Sequence, residues 1–301
     1  MTDTIQNTSV LRTNVYSQEI KLVLDEELIA DPLVDWKTDF PDGTTLKIPT
    51  LSQMTVRDYE EGGAIKIDET NTGDFELTID KYYEANFAIT DKFRDDSFYV
   101  SQVEAGFVAE LTKAIARQKE SDIFNLQSSQ TASNANTING AAHRIVCTGT
   151  SQAITLADIS SAKFALDKSN VSRVGRKGVF DPAMTQEMLT ISNVLAQDVY
   201  GANSHLKEGM SGTVALGKFH GFDLFESNLL DNGLAETITG SVTAGIANIM
   251  VGEEAFVGAM RTMPTVESFR QHERKRDVHS ATIRYGIKLY RPESLVVLLA
   301  E

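Results

Sequence analysis

Apolar and polar residues alternate along residues 75–90 of the chain. The odd positions are apolar or aromatic with one lysine among them, and they are Phe75, Leu77, Ile79, Lys81, Tyr83, Ala85, Phe87 and Ile89. A period of two is typical of a β-strand with one covered face, and about sixteen residues exceed the ~5–6 of an ordinary strand. A weaker alternation precedes it from residue 43, and turn-forming residues fill positions 59–73. The pattern therefore predicts a long β-hairpin over residues 43–90.

The next segment has the pattern of one long helix. Thr90 and Asp91 offer a helix cap, and residues 91–129 contain no proline. Apolar residues recur at three- and four-residue spacing, and they are Val100, Val103, Phe107, Leu111, Ala114 and Ile115. At ~3.6 residues per turn this stripe predicts a helix of about nine turns over residues 91–128.

Helical and extended patterns alternate after residue 153, so the fold class is predicted as α+β. The patterns predict helices over residues 155–169, 181–193 and 253–260, and strands over 178–180, 219–227, 248–251 and most of 265–299. Residues 198–217 carry glycine and serine without an apolar period, which is typical of a loop. Residues 1–42 hold one short helical pattern followed by turn signals, which predicts an arm.

Composition places the chain among ordinary globular proteins. Its 301 residues are 42% hydrophobic and 23% charged, enough for a sizeable core and one or two domains. No apolar run approaches the ~20 residues of a membrane span, and the N-terminus lacks a basic-then-apolar signal segment. We therefore expect no membrane contact and a cytoplasm-like compartment. The single cysteine, Cys147, excludes an internal disulfide and a cysteine zinc site.

The net charge of −14 is concentrated in the first third of the chain. Residues 1–100 hold 21 acidic and 9 basic residues, whereas residues 101–301 hold 21 and 19. Proteins that grip nucleic acid carry clustered cations, so direct reading of DNA is not expected. The acidity has two interpretations, which are solubility and an acidic surface that meets a basic patch on another copy.

Motifs that carry chemistry are missing or incomplete. Residues 212–219 come close to a phosphate-binding loop, but Phe219 stands where Ser or Thr would hold magnesium, and a strand pattern follows. The five histidines fall at no metal-ligand spacing and are expected on the surface or in loops. Ser160 and Lys163 form an S-x-x-K without its supporting motifs. We therefore predict no catalytic residue, no cofactor site and no metal site.

A basic strip near the C-terminus is left without a motif to explain it. It consists of Arg270, Arg274, Lys275 and Arg276 on a predicted strand. Charges of this kind guard a solvated edge strand against aggregation. They would equally serve as a docking strip for the acidic residues of the predicted hairpin, which are Asp58, Glu60, Glu61, Asp68 and Glu69. The sequence leaves both interpretations open.

The order of these elements resembles the major capsid proteins of tailed bacteriophages, which share the Hong Kong 97-type fold. The stretches that carry the resemblance are the hairpin strand ELTIDKYYEANFAIT, the helix FRDDSFYVSQVEAGFVAELTKAIARQKESDIF, the strand GKFHGFDLFESNLL and the closing strands DVHSATIRYGIKLYRPESLVVLLA. Together they cover essentially the whole chain, as loose patterns in a characteristic order.

The resemblance implies a division of the chain into five parts. They are an N-terminal arm (1–42), an extended hairpin loop (43–90), a peripheral domain with a spine helix (91–152), an axial domain (153–262), and returning strands of the peripheral domain with the C-terminal strand (263–301). It also implies a capsomer-axis loop that contains Gly201, Gly209 and Gly212. Contacts between subunits would involve the acidic hairpin residues, Lys66 and the basic strip.

The implied function is a structural one, without enzymatic activity. The chain would self-assemble as hexamers and pentamers into an icosahedral head shell around phage dsDNA. Implied partners are further copies, a scaffolding protein, a portal and a decoration or cement protein, in the virion and, during assembly, in the host cytoplasm. Some family members crosslink through a loop lysine, but no motif marks a partner for Lys47, Lys66 or Lys81, so no crosslink is predicted. Two alternatives stay open, namely an encapsulin-like bacterial nanocompartment shell and an enzyme with an unrecognised site.

Overall fold

The computed structural model of the chain describes residues 28–37, 43–51, 72–96, 100–130, 137–190, 215–230 and 245–300, with isolated positions at 54, 56, 58 and 61–62. These residues form two large β-sheets, two small two-stranded sheets and four α-helices. None of the described helices is both long enough and apolar enough to cross a membrane. The described part is therefore a mixed α+β protein, as the sequence predicts.

The first sheet has four strands in the order β1-β12-β13-β4. They are β1 (Val34–Lys37), β4 (Lys81–Thr90), β12 (Phe256–Gln271) and β13 (Arg276–Leu289). Strand β1 runs parallel to β12, and the other neighbours are antiparallel. The long helix α2 (Val100–Asn125) packs on one face of this sheet, mainly over β4 and β13.

The second sheet has six strands in the order β7-β14-β11-β8-β10-β9. They are β7 (Arg144–Val146), β8 (Lys177–Phe180), β9 (Ala215–Phe219), β10 (Phe222–Glu226), β11 (Ile246–Val251) and β14 (Leu295–Ala300). Every residue of β14 is buried. Leu295, Val297 and Leu299 join one hydrophobic cluster, and the residues between them join another. A continuous apolar run such as LVVLLA is typical of a strand that is covered on both faces.

Helices and short elements complete the described fold. They are α1 (Asp91–Asp96), α3 (Leu156–Lys168), α4 (Pro182–Thr190), the hairpin β2 (Thr45–Leu51) and β3 (Thr72–Thr78), the pair β5 (Thr137–Ile138) and β6 (Ala141–Ala142), and five 3₁₀ turns at Asp31–Leu33, Leu126–Ser129, Thr150–Gln152, His272–Arg274 and Pro292–Ser294. Helix α3 begins with a capping box, in which Thr155 and Asp158 each accept the other's backbone N–H. Thr90 caps α1 as predicted, because its hydroxyl accepts the N–H of Phe93.

Two strands share the alternation that predicted one long hairpin strand. Strand β3 pairs with β2, whereas β4 pairs along its whole length with β13 of the first sheet. The predicted hairpin over residues 43–90 is therefore wrong in its second half. A period of two reports that one face of a strand is covered, and it carries no information about which strand lies alongside.

Other sequence predictions also change in the structure. The helix predicted over 253–260 is wrong, because β12 begins at Phe256, and a short apolar run does not distinguish a buried strand from a helix. The strand predicted over 219–227 is a hairpin of β9 and β10 that turns at Gly221, whose φ is +91°. The long predicted helix corresponds to α1 and α2, with residues 97–99 outside the described part.

Candidate assembly surfaces

The root of the β2–β3 hairpin packs on the first sheet, on the face opposite α2. Leu77 and Ile79 form a small cluster with Val257 and Ala259 of β12. A side chain at Gly286 of β13 is excluded there, since its Cβ would lie 2.2 Å from the carbonyl oxygen of Thr78. The backbone of the hairpin root therefore contacts the backbone of the sheet directly.

Two aromatic rings and a lysine fix the same root. The ring of Phe75 meets the edge of Tyr290 at 4.8 Å between centroids. Lys288 lies over Phe75 at 5.3 Å and donates a hydrogen bond to the carbonyl oxygen of Glu76 at 3.0 Å. These contacts hold the hairpin at a fixed angle to the sheet.

The outer part of the hairpin is apolar and uncovered. The exposed fractions are 84% for Leu51, 74% for Met54 and 99% for Val56. Asp58 and Glu61 are exposed as well. The other predicted hairpin contacts, Glu60, Lys66, Asp68 and Glu69, lie outside the described residues, as do Gly201, Gly209 and Gly212 of the predicted axis loop.

The basic strip lies at the turn between β12 and β13, and its members have different roles. Arg270 pairs with Asp91 at 2.6 Å and with Asp277 at 3.0 Å. Arg94 also pairs with Asp277, at 2.7 Å. Hydrogen bonds from Arg270 hold the pKa of Asp91 and of Asp277 below the ordinary value for an aspartate. Arg270 is therefore part of a network within the chain.

The remaining members of the strip are less engaged. Arg276 donates a hydrogen bond from Nε to the side-chain oxygen of Gln271 at 2.7 Å. Arg274 and Lys275 are exposed, and neither makes an ion pair with another residue of the described part. Arg274 lies in a 3₁₀ turn and Lys275 has a left-handed backbone with φ of +45°, so the strand predicted through them is wrong. The two side chains form a cationic turn at the end of the hairpin.

Helix α2 is fixed to the sheet by polar contacts that sequence reasoning missed. The buried carboxylate of Asp122 accepts hydrogen bonds from the hydroxyls of Tyr83 at 2.9 Å and Tyr285 at 3.0 Å. Burial, together with the charge of Asp122, raises the pKa of Tyr285. Polar residues on an apolar helix stripe are read as solvated from sequence, and only the fold brings the two strands beneath this one.

The same helix holds the segment before β1. Glu120, which is buried, accepts the N–H of Ile29 on both carboxylate oxygens, at 2.9 and 3.0 Å. Burial raises the pKa of Glu120 despite these bonds. Lys119 pairs with Asp31 at 2.7 Å. The chain therefore enters the first sheet clamped against α2.

Two histidines are buried, so their predicted surface positions are wrong. His143 contacts the carbonyl oxygens of Ala141 and Glu293. His279 lies between the hydroxyl of Ser268, at 2.7 Å, and the carboxylate of Glu104 on α2, at 3.1 Å. We interpret the second group as a helix–sheet contact, since its carboxylate belongs to α2 and its imidazole to β13.

Groups suited to metal binding or nucleophilic chemistry are scarce in the described part. No three His, Cys, Asp or Glu side chains among the described residues are arranged to hold a metal ion. Cys147 is buried, and burial raises the pKa of its thiol to about 12. A thiol with such a pKa is a poor nucleophile near neutral pH.

The fold is that of phage capsid structures. The chain superposes on the capsid of cyanophage P-SCSP1u with a TM-score of 0.76 at 16% identity, covering 97% of this chain and 94% of that chain. A structure from Mycobacterium phage Che8 gives 0.70 at 21% identity, over 96% and 97%. The capsid asymmetric unit of cyanophage Pam1 gives 0.73 at 13% identity, over 99% of both chains. The predicted Hong Kong 97-type fold is thereby confirmed.

A family model makes the assignment more specific. The model of the phage capsid protein family matches residues 74–298, well over half of the chain. The chain belongs to the phage capsid protein family. It is therefore a capsid component, and its place is the virion. A comparison with curated proteins gave no match.

Proposed function

We propose that the chain is the major capsid protein, which assembles as hexamers and pentamers into the icosahedral head shell around phage dsDNA. The observation that carries this proposal is the β2–β3 hairpin. Its root is packed on its own sheet, while Leu51, Met54 and Val56 beyond the root are almost fully exposed. Burying large apolar side chains contributes ~1.5–3 kcal/mol each, so an uncovered set of them favours contact with another copy.

Charge supports the same contact between copies. Asp58 and Glu61 are exposed on the hairpin, and Arg274 and Lys275 are exposed at the cationic turn. We propose that these groups meet between neighbouring subunits, with Glu60, Lys66, Asp68 and Glu69 as further contacts. Arg270 is omitted from this set because its guanidinium is already paired within the chain.

Further partners and parts follow from the family. We propose an arm, an axial domain and a peripheral domain within the predicted bounds, and an axis loop that contains Gly201, Gly209 and Gly212. A scaffolding protein, a portal and a decoration protein would act on the shell, which would form in the host cytoplasm. The net charge of −14 fits enclosure of DNA without sequence-specific binding.

The nanocompartment alternative has the same architecture and a different content. The match to the phage capsid protein family favours a phage head over that alternative. The enzyme alternative receives no support from the described residues, whose buried polar groups bind one another. Content is therefore the property that separates the two shells, because a phage head holds dsDNA and a nanocompartment holds a cargo enzyme.

Electron microscopy and sedimentation of the purified full-length chain test the proposal. Shells or rings of five and six subunits are expected. Particles taken from cells that produce the phage should contain nuclease-protected dsDNA. A compact monomer at high concentration, with the other head proteins present, would rule out the shell, and protein-filled particles without DNA would favour the nanocompartment.

A further inference from the structure

Strand β12 has an unpaired edge over most of its length. Its sixteen residues pair with β13 on one side, but β1 pairs with only Phe256–Ala259 on the other. Residues 263–270 are all exposed, and no described strand lies beside them. We name the free side of β12 from residue 261 to residue 271 the open edge.

Strand β1 shows how a strand is held along the first part of this edge. Its Trp36 packs edge-on against Tyr285 at 6.4 Å and lies under Lys119 of α2 at 5.5 Å. Gly258 leaves room for the indole, since a Cβ there would lie 2.6 Å from the ring. The open edge continues this lane beyond the end of β1.

The two halves of the open edge differ in how well they can accept a strand. Pro264 lacks an N–H, and the register with β13 shifts between Met260 and Thr265. Proline and bulges are the usual protection of an edge. From Thr265 to Gln271 the register is regular, and Val266 and Phe269 are exposed. This second half therefore combines unpaired backbone groups with apolar side chains.

We propose that the open edge of β12 seats the β2–β3 hairpin of a second copy, added as a further strand with its acidic turn at Arg274 and Lys275. The inference rests on the proposed function and names the surface that receives the hairpin. Strand addition gives affinity through backbone hydrogen bonds and specificity through alternate side chains.

The spacing along the two surfaces agrees with this docking. Val56 and Glu61 are five residues apart, as are Phe269 and Arg274. Aligning the acid with the base therefore places Val56 beside Phe269, an apolar pair next to an ionic one. The chain's own hairpin does not take this position, since Leu51, Met54 and Val56 are exposed.

Disulfide trapping between copies tests the alignment. It places Met54 opposite Glu267, so the double variant Met54→Cys and Glu267→Cys should form disulfide-linked multimers when assembled particles are oxidised. Cys147 is buried with a raised pKa, so it should not interfere. The control pairs Met54→Cys with Phe164→Cys, an exposed position on α3. Multimers no more abundant than in this control would overturn the alignment.

Two further measurements test the surface itself. Phe269→Asp should abolish assembly without changing the thermal unfolding of the subunit, whereas Phe164→Asp at a similarly exposed site, 57% against 48%, should assemble normally. Amide exchange of residues 265–271 should slow on assembly of the parent. Shells that form with Phe269→Asp and leave these amides unprotected would overturn the open edge alone. A parent that never assembles would overturn the proposed function and this inference together.

Discussion

The guanidinium of Arg270 donates one hydrogen bond from each terminal nitrogen to the two carboxylate oxygens of Asp91, both at 2.6 Å. The pair joins the end of β12 to the first residue of α1, 179 positions earlier in the chain. The N–H of Asp91 also donates to the carbonyl oxygen of Lys275 at 3.1 Å. The cationic turn is therefore held in place from behind by a planar two-bond pair.

This arrangement separates the roles of two arginines that look alike in the sequence. We expect Arg270→Gln to lower the midpoint of thermal unfolding, because Asp91 and Asp277 both lose their partner. Arg274→Gln, the matched control four residues away, should leave the midpoint unchanged and weaken assembly. Differential scanning calorimetry and sedimentation of both variants measure the two effects. Equal midpoints for the two variants would contradict the assignment.

The pairs of Arg270 should also depend on pH in a defined direction. The folded-state pKa values of Asp91 and Asp277 are lowered from 3.8, so each contributes stability above that value and loses it as the pH falls through the folded pKa. The difference in unfolding midpoint between the parent and Arg270→Gln should be constant near neutral pH. It should shrink below 3.8 as both carboxylates take up protons. A difference that persisted in strong acid would show that packing of the arginine stem is responsible.

Glu120 should behave differently, because it is buried and satisfies backbone donors. We expect Glu120→Ala to lower the free energy of unfolding by ~1–3 kcal/mol, the cost of leaving a buried N–H group without its acceptor. Exchange of the amide of Ile29 should accelerate in the same variant. The control is Glu110→Ala on the same helix, which removes a half-exposed pair with Arg117 and should cost ~0–1 kcal/mol.

The raised pKa of Glu120 gives that prediction a pH arm with the opposite sign from Asp91. A carboxyl group that binds its proton more tightly in the folded state contributes more stability as the pH falls. The penalty of Glu120→Ala should therefore grow on acidification through the folded pKa. A penalty that shrank in the same range would show that the hydrogen bonds to Ile29 outweigh burial.

Sequence predicted the elements of this fold better than their neighbours in space. The pattern at Thr155 and Asp158 fixed the start of α3, because capping is decided within four residues. The alternation of residues 75–90 could not show that β3 and β4 belong to different sheets, since that depends on β13, nearly 200 residues later. The buried contacts of Asp122 and Glu120 were missed for the same reason. At the candidate site, the sequence identified the charged groups, and only the fold distinguishes the paired Arg270 from the exposed Arg274.

The last prediction concerns the charges at the hairpin contact. Arg274→Glu with Lys275→Glu should impair assembly, because each places an acid against the acidic hairpin of the neighbour. Asp58→Lys with Glu61→Lys in the same chain should partly restore it. Each exposed pair contributes only ~0–1 kcal/mol, but a shell repeats the contact in every subunit, so small terms decide whether it closes. Screening acts beyond ~8 Å at physiological ionic strength, so assembly of the parent should weaken as salt rises. Light scattering of the parent, the basic-to-acid variant and the rescued variant across a salt series measures this directly. Absence of rescue, with assembly indifferent to salt, would leave Arg274 and Lys275 as the guard of an exposed turn and the apolar residues as the basis of the contact.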